Sequence, residues 1–518
     1  MEATRFMSGV DPSGLDHIYS NQPQHLSEVQ IRYKGGSDHR YVMVTRYTKS
    51  VIRKTRVIRR RSFKRFVPSE FISELLKLSW LEVYLCDNVN QAVDLFSEKI
   101  NYVLDKLAPV KTIQVRNNYA PWLSHSTKQM MKERDIAQNR AAVTGLESDW
   151  HDYRQLRNKV NRNLRNEKAQ WRKNKLKSIG GDSSLVWKNL KDWFGWKKQG
   201  PPTQLCNNGN MYSKPSDLTK IMNEHFIKKI QTHVSVLDAS QNDPIDPVRK
   251  MMELKTCNME LSPVHPDQID RIIAKMKNSS SCGLDTIDMK IIKLAKPQLL
   301  PVITHIVNLS ISTQTFPESW KTAKIIPLHK KKSELSPENY CPVSLLSSVS
   351  KIAERAIFEQ LVNYFEKNDL IHPSHHGFRS GHNTTTALIE MMDLWVENFE
   401  EGKISAVVTL DMSAAFDLVD KDIFLQKLSA YKAGESVVNW VKSYLSGRKQ
   451  RVYIDGCLSE ELSVETGVPQ GSILGPLFYV IYTSDLPHTI HNNHMIEGIT
   501  DSECKDCGSL TCYADGST

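Results

Sequence analysis

Two aspartates and a glycine-rich loop form the sequence's strongest chemical pattern. Asp411 closes the β-branched run 404–410, and Asp515 stands far downstream in Tyr513-Ala514-Asp515-Gly516. Between them lies Gly467-Val468-Pro469-Gln470-Gly471. Aspartates at adjacent strand ends can hold two Mg²⁺ ions about 3.5–4 Å apart, which activate a 3′-hydroxyl and stabilise the phosphoryl transition state. The pattern therefore predicts two-metal nucleotidyl transfer, with Asp411 and Asp515 as catalytic metal ligands.

These segments, taken in order, resemble the catalytic core of reverse transcriptases from non-LTR (LINE-type) retrotransposons. Residues 410–417 (LDMSAAFD) resemble the first aspartate motif, and residues 467–476 resemble the loop that shapes the nucleotide pocket. The resemblance implies that Gln470 and Gly471 bind the nucleotide, and that Phe416 blocks a ribose 2′-hydroxyl and so selects dNTPs. The alternative for Phe416 is a core side chain on a helix that follows the strand.

Two upstream segments resemble the fingers of the same enzymes. They are residues 333–346 (SELSPENYCPVSLL) and residues 375–381 (HHGFRSG). The resemblance implies that Arg379 contacts phosphate, since a guanidinium is a planar bidentate donor. Cys341 stands where these enzymes usually have arginine, so a second nucleotide contact is not expected there. Residues 324–332 predict a finger strand that runs into a basic turn.

Gly516 replaces the second aspartate of the Tyr-Ala-Asp-Asp motif that the resemblance leads one to expect. By analogy with the removal of one transition-state stabiliser, we expect a rate loss of about 10²–10³ or more. Asp-Gly is a favourable hairpin dipeptide, so the fold should tolerate the glycine. The sequence therefore predicts a polymerase fold with little or no activity.

Two N-terminal segments resemble the last two motifs of apurinic/apyrimidinic-type endonucleases: residues 13–18 and 36–39. The resemblance implies that His39 is catalytic, that Asp16 orients it and that Asp38 lies near a metal. An imidazole can assist attack on a phosphodiester while a carboxylate fixes its tautomer. A surface turn is the alternative for Ser-Asp-His. Because the earlier endonuclease motifs are not in the sequence, we expect a remnant that does not cleave DNA.

The net charge of +10 is concentrated in two basic regions. Residues 46–65 hold ten Lys and Arg and no acid, while residues 121–200 hold eighteen against eight acids. Such density favours counterion-releasing contact with nucleic acid, although a solvated arm or a nuclear-import signal is the general alternative. Residues 122–177 lack proline and predict long polar helices. The interleaved tryptophans of this region suit either base stacking or helix packing.

Two later helices are predicted from apolar spacing. Ser350 can cap a helix whose apolar side chains share one face. The residues on that face are Ile357, Leu361, Tyr364 and Phe365. A second stripe has the same spacing and comprises Val437, Trp440, Val441, Tyr444 and Leu445. We expect both stripes to pack in the core.

Three cysteines near the C-terminal end raise the question of zinc. Cys504 and Cys507 have metal-ligand spacing, and Zn²⁺ would need two further ligands from Cys512 and the neighbouring histidines. A single CxxC favours a flexible insertion ahead of the aspartate turn over a structural zinc site.

Composition restricts the class of protein. No run approaches the ~18 apolar residues of a membrane span, and no signal peptide is visible. The nine scattered cysteines do not form a secreted disulfide framework. We expect an intracellular protein of the nucleus or cytoplasm, neither secreted nor membrane-bound. The resemblance implies an RNA template, a DNA primer or target, and dNTPs as partners, with Mg²⁺ as cofactor.

The predicted fold class is α+β, a right-hand polymerase with fingers and palm. The expected organisation is an endonuclease α/β-sandwich fragment (1–48), a basic, largely helical linker (49–250), an N-terminal polymerase extension (251–308), and fingers and palm (309–518). The thumb is expected to be missing, since the sequence ends at Thr518. The predicted function is RNA-directed DNA polymerase by descent. The alternative is a non-catalytic RNA- or DNA-binding remnant, and a group II intron maturase is disfavoured by the endonuclease-like N-terminus.

Overall fold

The computed structural model describes most of the chain. The described residues are 27–32, 41–45, 56–115, 120–180, 183–194, 200–236, 243–330, 332–407, 409, 412 and 414–487. The chain divides into two compact units, one of residues 1–56 with 114–119 and one of residues 57–113 with 120–518. In the first unit, β1 (Gln30–Arg32) pairs antiparallel with β2 (Tyr41–Met43). The Ser27 amide donates to the Thr45 carbonyl at 2.8 Å and extends this pair.

Two strands and three helices come next along the chain. β3 (Arg56–Arg61) pairs with β4 (Val110–Val115). Between them lie α1 (Pro68–Leu76), α2 (Leu81–Tyr84) and α3 (Val89–Leu107). α3 begins after Asn88, whose side chain accepts from the Asn90 amide at 2.8 Å and satisfies one of the unpaired donors of the helix. Its buried residues recur at helical spacing from Val89 to Leu104, so one face packs in the core.

Two long antiparallel helices form what we call the helical hairpin: α4 (His125–Thr144) and α5 (Glu147–Lys177). They confirm the prediction of long polar helices. α4 ends at Gly145, which has a φ of +68°, a left-handed cap that favours glycine. The buried residues of this described stretch are few, namely Thr127, Ala137, Ala141 and Val160. Most of the hairpin surface is therefore exposed to water.

A series of shorter elements leads from the helical hairpin to the central sheet. These are α6 (Ser183–Trp193), β5 (Leu205–Asn207), β6 (Asn210–Tyr212), α7 (Pro215–Val234), α8 (Asp246–Met252), α9 (Pro266–Lys275), α10 (Met289–Leu294) and α11 (Lys296–Ser312). Strands β5 and β6 pair antiparallel. Proline occupies the first turn of α7, α8, α9 and α11, where its missing N–H costs no helical hydrogen bond.

The largest sheet has five strands and is built around β7 (Thr322–His329). β7 pairs antiparallel with β8 (Tyr340–Leu345) and parallel with β9 (Lys449–Ile454). β10 (Cys457–Leu458) and β11 (Leu462–Ser463) both pair with β9. Alternate residues of β7 are buried, including Ala323 and Ile325. The strand predicted within residues 324–332 is confirmed as far as His329, and its assignment to the fingers stays a prediction.

The remaining helices are α12 (Ser348–Lys367), α13 (Thr384–Glu400), α14 (Lys421–Ala430), α15 (Glu435–Leu445) and α16 (Leu474–Thr483). The two predicted apolar stripes are confirmed, because all of their residues are buried in α12 and α15. The cap of α12 differs from the prediction: Ser347 precedes the helix and its side chain accepts from the Ser350 amide. Among the described helices, none is long and apolar enough to span a bilayer.

Two hydrophobic clusters hold the second unit together. The larger cluster joins residues of α1–α3 to residues from 248–481. The described part of the predicted linker 49–250 thus contributes helices to the main core. The smaller cluster joins α7 to the central sheet through Leu218, Met222 and Phe226, which pack with Ala323 and Val452 among others.

The prediction of a strand that ends at Asp411 is wrong for the residues of the run that the structure describes. Residues 403–407 have no regular secondary structure, and Ile404 is 97% exposed. A β-branched run becomes a strand only when a neighbouring strand satisfies its backbone, and no described strand pairs with this run. The alternative for Phe416 assumed a helix after the strand, but residues 414–418 form turns and α14 begins at Lys421.

Candidate active site

A cleft of about 240 Å³ lies beside the five-stranded sheet. Its walls come from β7, β8, the first residues of β9, the turn 414–417, the loop 464–470 and one face of α7. These segments are far apart in sequence, so the cleft depends on the tertiary fold. The glycine-rich loop that the sequence indicated forms one wall.

Two glycines let that loop approach its neighbours. Gly467 has a φ of +77°, and a Cβ there would lie 2.6 Å from the carbonyl oxygens of Phe416 and Asp417. Gly471 has a φ of +87°, and its Cβ would lie 2.9 Å from the Ser344 carbonyl oxygen in β8. Both positions combine a left-handed backbone with a close backbone contact, so only glycine fits without displacement.

Gln470 is held by a carboxylate inside the cleft. Its Nε2 lies 3.0 Å from each carboxylate oxygen of Asp417 and donates to that group. The Asp417 amide in turn donates to the Ala414 carbonyl at 2.9 Å, which fixes the turn. Burial raises the pKa of Asp417, while the Gln470 hydrogen bond and the positive charges of Lys229 and His233 oppose that rise. Gln470 therefore has a defined position in the wall of the cleft.

Phe416 lies in an aromatic cluster. Its ring centroid is 5.8 Å from that of Phe378 and 5.1 Å from that of Tyr479. The side chain is half-buried and packs against the main core, while the neighbouring Ala414 and Asp417 line the cleft. This packing favours a structural contribution from Phe416, and its selection of dNTPs stays a prediction.

Arg379 is placed away from the cleft. Its Nη1 donates to the carbonyl oxygens of His372 at 3.1 Å and His375 at 3.2 Å. The side chain lines a small separate cavity beside α12 and α16. Burial lowers the pKa of the guanidinium. The structure thus does not bring Arg379 together with Gln470, and its predicted phosphate contact stays a prediction.

The other predicted site residues lie outside the described residues. They are Asp411, Asp515, Asp16, Asp38, His39, Cys504, Cys507 and Cys512, together with Gly516. Within the part of the chain that the structure describes, no group of three or more His, Cys, Asp or Glu could hold a metal ion. The predicted magnesium and zinc ligand sets consequently stay predictions.

Positive side chains dominate the charge of the cleft lining. They are Lys229, Lys321, Lys330, Arg448 and Lys449, and His233 adds an imidazole to the lining. Asp417 is the one carboxylate among the described lining residues. Some of the cations already have partners, since Lys321 pairs with Glu318 at 2.5 Å and Lys449 with Glu461 at 2.7 Å. A concave basic surface of this kind attracts anions.

A buried carboxylate that the sequence interpretation missed anchors the glycine-rich loop. Glu354, in α12, is fully buried, and its Oε2 accepts from the Ile473 amide at 2.7 Å. Ile473 precedes α16 and offers no side-chain cap of its own, so Glu354 caps that helix from a distance. Burial raises the pKa of Glu354, and the positive charge of Arg448 opposes that rise.

Sequence signals for the missed residues were weak but present. Glu354 falls on the apolar stripe of α12, three residues before Ile357, where an unpartnered charge would be costly. That position could have indicated a buried polar contact. Lys229 and His233 are spaced as neighbours on one helix face, but nothing in the sequence places that face beside Gln470.

The comparison with known families identifies the cleft's domain. Residues 328–516 match the family described as reverse transcriptase (RNA-dependent DNA polymerase). The chain carries a reverse transcriptase domain. The match begins at the end of β7, so α7 and most of β7 lie outside the matched residues although both line the cleft.

Curated relatives extend the likeness over nearly the whole chain. The chain is 25% identical over 513 residues to "RNA-directed DNA polymerase from mobile element jockey" of Drosophila funebris, covering 98% of the chain and 54% of that relative. It is 26% identical over 494 residues to "Probable RNA-directed DNA polymerase from transposon BS" of Drosophila melanogaster, covering 92% and 52%. The predicted resemblance to the reverse transcriptases of non-LTR retrotransposons is thus confirmed. The chain spans about half the length of these two relatives.

Proposed function

We propose that the reverse transcriptase domain descends from an enzyme that copies RNA into DNA, and that its cleft receives the incoming dNTP. The observation that carries this proposal is the fixed position of Gln470, which Asp417 holds on a glycine-rich loop inside a basic cleft. A triphosphate is strongly negative, so a concave cationic lining raises its local concentration. An RNA template and a DNA primer or target are the corresponding macromolecular substrates.

Asp411 and Asp515 are the proposed Mg²⁺ ligands, on the strength of their motifs. Bound Mg²⁺ would activate the attacking hydroxyl and neutralise charge on the reacting phosphate. Asp417 is not assigned to the metal, because both of its oxygens accept from Gln470. The residues described in the cleft instead position the nucleotide: the two glycines set the loop, and Gln470 presents a fixed side chain.

Further assignments accompany this proposal. Phe416 selects dNTPs, and Arg379 contacts phosphate after leaving its present carbonyl partners. Asp16, Asp38 and His39 belong to an endonuclease remnant that does not cleave DNA. The protein acts inside the cell, in the nucleus or cytoplasm.

Gly516 is expected to lower the polymerase rate. The test compares the full chain with its Gly516→Asp variant in Mg²⁺-dependent incorporation of dTTP on a poly(rA)–oligo(dT) template. We expect the variant to incorporate dTTP about 10²- to 10³-fold faster than the parent chain, because it restores one carboxylate at the proposed metal site. A matched Gly508→Asp variant adds the same charge nearby outside the motif, and we expect it to leave the rate unchanged.

The incorporation rates of the parent chain and the Gly516→Asp variant test separately whether the protein is a polymerase and whether Gly516 impairs it. Equal rates for the parent chain and Gly516→Asp would contradict the impairment, provided that both incorporate dTTP. No incorporation by either protein would contradict the polymerase proposal and favour a binding remnant.

A second function, nucleic-acid binding without synthesis, is favoured by the helical hairpin. α5 carries ten Lys and Arg against four acids along 31 residues, a length of about 46 Å at 1.5 Å per residue. Lys159, Arg162 and Arg165 are exposed and have no ion pair with any described residue. The hairpin therefore offers a long cationic surface to a phosphate backbone.

Salt dependence of binding tests this second function. We expect the triple variant Lys159→Gln, Arg162→Gln and Arg165→Gln to bind an RNA–DNA duplex more weakly and to reduce the slope of log K against log salt by about 2–3. The matched control replaces Lys220, Lys250 and Lys290, which are exposed cations outside the hairpin, with Gln. Equal slopes for the two triple variants would contradict a specific contribution from the hairpin.

A further inference from the structure

We propose that Lys229 and His233, on α7, bind the polyphosphate of the incoming nucleotide in the cleft. This inference rests on the proposed function, because it names the substrate group that this wall of the cleft contacts. It also extends the nucleotide site beyond residues 328–516, the part that matches the reverse transcriptase family. α7 lies wholly outside that match.

One stripe of α7 faces the cleft. Phe226, Lys229, Ile230 and His233 all line it, and their spacing of three and four residues places them on one side of the helix. Phe226 is buried and Ile230 and His233 are half-buried, while Lys229 is exposed. Lys229 and His233 line the same cleft as Asp417 and Gln470.

Tertiary contacts fix α7 in this position. The Asn223 side chain donates to the Ser459 hydroxyl at 3.0 Å and accepts from Gln450 Nε2 at 2.9 Å. Leu218, Met222 and Phe226 are buried against the central sheet. The backbone that carries Lys229 and His233 therefore belongs to the rigid wall of the cleft, and an anion bound there gains contacts at little cost in ordering.

Charge balance favours α7 as an anion contact. Lys321 and Lys449, which also line the cleft, are already paired with carboxylates. Lys229 is exposed and forms no ion pair with any described residue. A triphosphate concentrates several negative charges within a few ångströms, so it suits two nitrogen-bearing side chains that neighbour each other on α7.

Calorimetric titration with inorganic tripolyphosphate, in the full chain at low salt, tests the site. We expect the double variant Lys229→Gln, His233→Gln to bind at least about tenfold more weakly than the parent chain, since it loses charge-assisted contacts. The matched control is Lys220→Gln, Lys228→Gln, whose positions lie on the same helix but do not line the cleft. We expect that control to bind as the parent chain does.

Two further arms identify the ligand. Titration with dTTP should show the same loss, whereas titration with thymidine should show none. Titration with a single-stranded RNA oligonucleotide should show little difference between the double variant and its control. A loss of affinity confined to the oligonucleotide would assign Lys229 and His233 to template binding and overturn the proposal.

The proposal and the polymerase function can fail separately. Unchanged tripolyphosphate affinity in the double variant would overturn the α7 site even if the protein incorporates dNTPs. A tenfold loss of tripolyphosphate affinity in the double variant would support the α7 site. That conclusion would hold even if the Gly516→Asp variant incorporated no dTTP, a result that would contradict the polymerase proposal itself.

Discussion

The cleft and the helical hairpin both carry positive charge, but they hold it in opposite ways. In the cleft, cations from α7, the two ends of β7 and the start of β9 line one concave space, and two hydrophobic clusters fix the backbone. In the hairpin, cations are distributed along α5, and few side chains are buried. Converging charge on a rigid frame suits a compact polyphosphate. Distributed charge on a long helix suits a polyanion of any sequence.

The comparison shows that the same residue types acquire different functions from packing. Lys229 and Lys159 are both exposed lysines on helices. Lys229 lies on α7, which is attached to the central sheet by hydrogen bonds such as that between Asn223 and Gln450. The position of Lys229 is therefore defined relative to Gln470. Lys159 belongs to a helix that contacts chiefly its partner in the hairpin. Changes to backbone geometry should consequently harm the cleft far more than the hairpin.

The largest expected difference between the cleft and the hairpin is the loss of stability when a glycine of positive φ is replaced by alanine. Gly467→Ala in the cleft must strain the backbone and also place a Cβ 2.6 Å from two carbonyl oxygens. Gly145→Ala in the hairpin turn meets nothing within 4 Å and incurs backbone strain alone. We expect Gly145→Ala to lower the free energy of unfolding by about 1 kcal/mol. Gly467→Ala should lower it by about 3 kcal/mol or more.

Urea denaturation of both variants, together with tripolyphosphate titration, measures this contrast. Gly467→Ala should also weaken tripolyphosphate binding, because the loop that carries Gln470 must move. Gly145→Ala should leave that binding intact. Equal destabilisation by the two substitutions would show that the close contact at Gly467 relaxes without cost.

Glu354 and Glu167 each accept a hydrogen bond from the amide at the start of a helix that is distant in sequence. Removing these two carboxylates should give the second-largest difference in stability between the cleft and the hairpin. Glu354 accepts from the Ile473 amide in the core, and Glu167 accepts from the Ser124 amide at 3.1 Å and the Thr127 hydroxyl at 2.9 Å in the hairpin. Glu354→Ala removes a fully buried side chain and leaves the Ile473 N–H without this partner, so we expect a loss of about 1–3 kcal/mol. Glu167 and Ser124 are both half-buried, so water can replace the carboxylate at the Ser124 amide. We expect Glu167→Ala to cost about 0.5–1 kcal/mol.

Thermal and urea unfolding of the two alanine variants measures the difference. The control is Glu359→Ala, which removes an exposed carboxylate from α12, the helix that also carries Glu354. That control should change stability by less than about 0.5 kcal/mol. A larger loss for Glu167→Ala than for Glu354→Ala would reverse the ranking of the two regions.

The sequence predicted local features well, because local chemistry determines them. The stripes of α12 and α15, the strand β7 and the polar helices of the hairpin all follow from spacing and composition. The glycine-rich loop was assigned to the site through its resemblance to a family motif, and the structure shows the backbone requirement that Gly467 and Gly471 meet there.

The sequence did not predict features that depend on distant partners. The run 404–410 has strand composition, yet residues 403–407 form no strand because no described strand pairs with them. Arg379 suits phosphate by type, but neighbouring carbonyl groups hold it. Lys229 enters the cleft only because Asn223 and a small core attach α7 to the sheet, and residue type alone cannot encode that docking.

The smallest expected effect is a difference in the sign of pH dependence between the two carboxylates. Burial raises the pKa of Glu354 above its ordinary value of 4.5, so the folded protein holds this proton more tightly than the unfolded chain. Stability from this group therefore falls as pH rises from 4.5 through the folded pKa. Hydrogen bonds from Ser124 lower the pKa of Glu167, so its contribution is present above 4.5 and is lost as pH falls through the folded pKa.

Glutamine at each position removes the titration while keeping an oxygen acceptor. We expect Glu354→Gln to flatten the decline of stability above pH 4.5, and Glu167→Gln to flatten the loss of stability below pH 4.5. Urea denaturation at a series of pH values measures both, and subtracting the parent curve removes the contribution of the other titrating groups. If both glutamine variants changed the pH dependence of stability in the same direction, Glu354 would not be desolvated as its burial requires. The distinction between a packed cleft and a solvated hairpin would then fail at this pair of residues.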